Sequence, residues 1–183
     1  MYSNQQVINQ CKLWVEKIII GLNFCPFAKK EFVQNTIAYP VIRNVDLATA
    51  LQSLLNECKR LDAHPEIETS LVIYPENFQY FYDYLELVNM AENLIVAEGY
   101  EGVYQIASFH PDYVFNGVDE DDESNFTNRS PFPILHVIRE QSMERAVNAH
   151  PDPEGIPDRN IELCYEKGSE FFKQFLVSIS KEK

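Results

Sequence analysis

The side chains with the most chemical potential lie between Phe109 and Arg145. His110 follows the apolar run 103–109, which predicts a strand. Ligands of open α/β sheets collect beyond the carboxyl ends of strands. An imidazole near its unperturbed pKa exchanges protons at neutral pH, and Asp112 stands two residues away to orient it. The same string also reads as a strand-ending turn, with Pro111 fixing the backbone. Asn125, Thr127, Asn128, Arg129 and Ser130 then gather amides, hydroxyls and a guanidinium on a loop bounded by Pro131 and Pro133. Arg129 offers a planar fork for carboxylate or phosphate. The competing reading is that these side chains satisfy loop backbone groups. A long ordered loop in a compact domain is usually a working one. His136 lies in the apolar run 134–139, beside Arg139, where a core histidine is the bland alternative. The expectation is one cavity holding His110 and Arg129, with His136 and Arg139 close behind.

Cys25 is the second candidate. In Cys25-Pro26-Phe27-Ala28 the proline can open a short helix, and a helix N-terminus stabilises a thiolate. Cys25 is therefore expected to be the most reactive of the four thiols. Nucleophile, haem ligand and plain packing are the three readings. Cys11, Cys58 and Cys164 fall inside helical patterns and read as small core residues. No C-x-x-C pair is present, so neither structural zinc nor a disulfide is expected. The acidic run 119–123 lacks calcium-loop spacing and reads as a solvated loop. No resident metal and no particular cofactor is indicated.

Fifteen basic residues face 28 acidic ones, a net charge of −13. That field repels nucleic acid and anionic membrane surfaces, and no basic cluster overrides it. The first residues lack a charged start and a cleavable apolar run, so a cytoplasmic protein is expected. A length of 183 residues suits one domain, 1–183.

These groups need a scaffold. Val7, Cys11, Trp14, Val15, Ile18 and Leu22 recur at helical spacing and predict a first helix ending near Gly21. Strands are predicted near 36–43, 69–74, 103–109 and 134–139, the last of which is also compatible with a helix. Pro40 assigns the first of these to a sheet edge. Asp46 can cap a helix through Cys58, and Ser142 one through Ala149. Pro157 suits the start of a single last helix carrying Cys164, Phe172 and Ile179. An aromatic helix over about 78–98 shows two apolar stripes; the second is either core or a face for a homo-oligomer through 78–94. The order implies an α/β fold, a roughly four-stranded mixed sheet flanked by helices, helical at both termini.

Several strings together resemble the bacterial family catalogued as domain of unknown function 1415. They are 21–28 (GLNFCPFA), 107–113 (ASFHPDY), 125–133, Leu135-His136, Arg139-Glu140, Glu144-Arg145-Ala146 and 157–161 (PDRNI). The resemblance implies that these segments form one unit and transfers no catalytic role.

Three functions compete. The first is an enzyme acting on a small anionic substrate, with Arg129 as clamp and His110 as proton carrier, helped by Asp112 or His136. The second is a thiol-reactive or haem-linked protein using Cys25. The third is a non-catalytic binding or assembly module built on the aromatic helix.

Overall fold

The structure, a computed structural model, describes residues 2–181. Ser3 and Gln6 form a reciprocal capping box that starts helix α1 (Asn4–Trp14). Helix α1 runs directly into a π-helix (Val15–Ile20). Ile18, Ile19 and Ile20 are a β-branched run that crowds an α-helical turn, and the wider turn accommodates it. Gly21 closes this turn, because a Cβ there would collide with the Lys17 carbonyl oxygen.

Helix α2 (Ala28–Gln34) stops at Asn35, in the left-handed region. Helix α3 (Leu47–Ala63) starts on Asp46, whose carboxylate accepts the Thr49 amide at 2.8 Å. Helices α4 (Phe81–Ala97), α5 (Glu140–Ala149), α6 (Ile156–Lys167) and α7 (Ser169–Ser180) complete the α-helices of the described residues, and a 3-10 turn spans Glu123–Thr127. The strands are β1 (Ile37–Ala38), β2 (Thr69–Ile73), β3 (Tyr104–Phe109) and β4 (Ile134–Arg139), in the order β1-β2-β4-β3. Strand β1 is parallel to β2, and β4 runs antiparallel to both β2 and β3. This is the expected mixed sheet, helical at both ends.

The elements differ from expectation in three places. The edge segment 36–43 pairs over only two residues and then at one bridge, Val41 to Ile73. Pro40, which cannot donate, interrupts it, although its carbonyl accepts the Ile73 amide at 2.9 Å. Helix α5 begins at Glu140, straight from the strand, so Ser142 lies inside it and caps nothing. The last helix is two helices, broken at Gly168 with φ 74°, a conformation that costs glycine nothing. In α4 the stripe through Tyr84, Leu87 and Ala91 is buried, whereas Tyr82 and Leu85 of the other stripe are 84% and 39% exposed.

Strand alternation sends side chains to two cores. Val72, Tyr74, Leu135, Val137 and Tyr104 pack against α3 and α4. Leu71, Ile73 and Ile134 face α1, the π-helix and α7. On that second face the helices do not close over the whole sheet.

Candidate functional site

The uncovered part of the sheet is the floor of a cleft of about 1030 Å³. That lies at the top of the range of roughly 300–1,000 Å³ usual for small-molecule sites. Register builds the floor. Leu71, His136 and Ala107 stand in one line across β2, β4 and β3. The small Ala107 side chain leaves space beside the imidazole. Trp14, Val15 and Ile19 form one wall, and Met143, Ala146 and Ile161 belong to the facing helices. Cys25, Asn128, Arg145 and His150 also line the cleft.

Thr69 fixes the His136 tautomer. Its hydroxyl donates to the Val137 carbonyl at 2.6 Å. Having one proton, it must accept from His136 Nε2 at 2.7 Å. The lone pair is therefore on Nδ1, which makes no hydrogen bond within the described residues. Burial pushes the His136 pKa down from 6.5 to about 4. The ring is thus neutral at neutral pH and presents an acceptor to an apolar space.

The π-helix sets Cys25, whose amide donates to the Ile19 carbonyl at 3.2 Å. Asn160 holds the adjacent turn by donating to the Phe24 carbonyl at 2.7 Å. Pro26 lies two residues before α2 rather than in its first turn. Burial raises the Cys25 thiol above its ordinary value; hydrogen bonds from the Phe27 and Ala28 backbone partly oppose this. The other three thiols are also raised, and more strongly, by burial: Cys11 beyond the usual range, Cys58 and Cys164 to about 12.

His110 sits elsewhere. It is completely buried and lies against the rings of Phe81 and Tyr84, at 5.2 and 5.0 Å. Its Nδ1 accepts the Asp112 amide at 3.0 Å and its Nε2 donates to the Phe78 carbonyl at 2.9 Å. Both nitrogens are therefore committed to backbone, and burial lowers its pKa. Asp112 itself is exposed.

The loop does fold back on the end of β3, since the His110 amide donates to the Asn128 carbonyl at 3.2 Å. The side chains then diverge. Arg129 donates to the Tyr113 and Glu120 carbonyls at 3.1 and 2.6 Å, and stacks 4.6 Å over Phe126. Asn125 ties Phe115 to Asp119, and Ser130 bonds the Phe132 carbonyl. Thr127 donates to the Ser124 carbonyl and Asn128 to the Ser108 carbonyl, yet both also line the cleft. Arg139 closes the end of α3, donating to the Leu61 and Ile67 carbonyls at 2.6 and 3.1 Å.

Of the sequence candidates, His136, Cys25, Thr127 and Asn128 therefore meet at one cleft; His110, Asp112, Asn125, Arg129, Ser130 and Arg139 are not among its lining residues. Sequence reasoning did not assign Trp14, Thr69, Arg145 or Asn160 to a site. The signal for two of them was present, because Arg145 and Asn160 lie in the strings that carried the family resemblance.

Fold and cleft together define an α/β protein with a mixed sheet and an apolar chamber on one face. The chain belongs to the family described as protein of unknown function (DUF1415), whose model matches residues 6–174. No curated protein and no solved structure matches it. Among the described residues no helix is long and apolar enough to cross a membrane.

Proposed function

We propose that the protein binds an apolar small molecule in the cleft and that His136 Nδ1 accepts a hydrogen bond from it. The observation that carries this reading is a fixed, uncommitted imidazole acceptor on the floor of a mostly apolar chamber. Binding is favoured over acid–base catalysis for a physical reason. A general base works best with a pKa near the operating pH, and about 4 is too low for that role at neutral pH. Cys25 brings a thiol to the same chamber. A thiol raised above its ordinary value is largely uncharged at neutral pH, so it supports contact with a ligand better than attack on one.

Two neutral ligands test this. Naphthalene fills apolar space, and 1-naphthol adds one hydrogen-bond donor. Trp14 is the single tryptophan and lines the cleft, so its fluorescence reports occupancy. Both ligands are expected to bind one per chain, 1-naphthol more tightly. His136→Leu should remove the acceptor, leave Thr69 donating to the Val137 carbonyl, and equalise the two. Ala146→Phe should weaken both. Absence of saturable binding by either ligand would overturn the reading.

A further inference from the structure

We infer that the occupant of the cleft carries an anionic end and that Arg145 holds it. The inference rests on the proposed binding function of the cleft and adds the class of ligand: an apolar chain or ring system ending in a carboxylate or phosphate.

Arg145 lies on α5, lines the cleft and is exposed. Among the described residues its only side-chain partner is the Ser142 hydroxyl, at 2.8 Å. Among the described residues no carboxylate lies within ion-pair distance of it, in a chain of net charge −13. The other cleft cation, Lys30, is already paired with Glu31 at 3.1 Å, and Glu31 also accepts the Thr36 hydroxyl at 2.6 Å. An acidic protein that leaves a guanidinium unmatched at the wall of an apolar chamber presents a fork suited to a bound anion. The lining also carries two carboxylates, Glu31, which pairs with Lys30, and Glu68, and a cationic ligand is therefore the arm that tests the sign. The apolar walls, including Val15, Ile19 and Met143, would take the remainder of the molecule.

The experiment compares decanoate, decyl phosphate, decanol and decylamine by Trp14 fluorescence. Arg145 is exposed, so Arg145→Gln should leave the fold intact. Decanoate or decyl phosphate is expected to bind about tenfold more tightly than decanol, a partly solvated charge-assisted contact being worth roughly that factor. Arg145→Gln should remove the advantage and leave decanol binding unchanged. Preference for one anion over the other identifies the headgroup. Equal binding of anions and decanol, with no effect of Arg145→Gln, overturns the inference while leaving the cleft reading in place. Tightest binding by decylamine overturns it in favour of Glu68. No binding by any of the four rejects the cleft reading together with the inference.

Discussion

His110→Ala is expected to destabilise the protein by about 3–5 kcal/mol, the sum of a core cavity and two backbone groups left without partners. The effect follows from what the ring bridges. It ties the end of β3 to the turn before α4, through the Asp112 amide and the Phe78 carbonyl. Phe78 stands at φ 59°, a left-handed conformation that a non-glycine residue holds at a cost of about 1–2 kcal/mol. The bond from His110 and the edge-on contact with Tyr74, at 5.4 Å, hold it there. Urea unfolding followed by circular dichroism measures the loss. Material that remains folded should still bind 1-naphthol, because His110 does not line the cleft. Unchanged stability in His110→Ala would return the residue to the list of catalytic candidates.

Acidification from pH 6.5 towards pH 4 is expected to cost about 3 kcal/mol of stability through His136, at about 1.4 kcal/mol per unit of pKa difference. Folding lowers this imidazole from 6.5 to about 4. Above pH 6.5 it is neutral in both states and contributes no pH dependence. Below 6.5 the unfolded chain takes up a proton that the folded chain refuses, so stability falls with pH. The loss is complete once the folded ring also protonates, near pH 4. His110 is lowered too and adds in the same direction. Carboxylates held below their ordinary values, such as Asp46 and Asp122, lose their contributions at lower pH. Glu66 is lowered as well and starts to contribute below about pH 5.5, so the window between pH 6.5 and about 5.5 reports the histidines. His136→Gln should flatten the slope there, measured as the urea midpoint at half-unit steps of pH. An equal slope in both proteins would show that His136 is not held neutral by burial.

How much of this was legible in the sequence depends on the distance over which each signal acts. The helical spacing from Val7 to Leu22, Asp46 and the apolar run 134–139 are local, and local chemistry placed α1, α3 and β4. The break at Gly168 was missed because the apolar spacing on its two sides is compatible with one continuous helix. The π-helix left a trace in Ile18-Ile19-Ile20, but β-branching alone does not distinguish a wide turn from an ordinary one. The site was harder. His110 was placed at the end of the third strand, and β3 does end at Phe109. Which way each side chain turns depends on α4 and the 123–127 turn, and no spacing reveals that. His136 and Cys25 were both singled out, on separate readings. Their meeting at one cleft follows from the register of Leu71, His136 and Ala107 and from the π-helix beneath Cys25, neither of which is a sequence pattern.

The central claim is that a small molecule occupies the chamber that His136 and Cys25 share. Its most direct measurement is the alkylation of Cys25 by iodoacetamide at neutral pH, read by peptide mass mapping with and without saturating 1-naphthol. Cys25 is only partly buried whereas Cys11, Cys58 and Cys164 are fully buried, so Cys25 should be labelled first in the free protein. Bound 1-naphthol should slow that labelling and leave the other three unchanged. Labelling of Cys25 at the same rate with ligand bound, or labelling of a core cysteine ahead of it, would contradict the account.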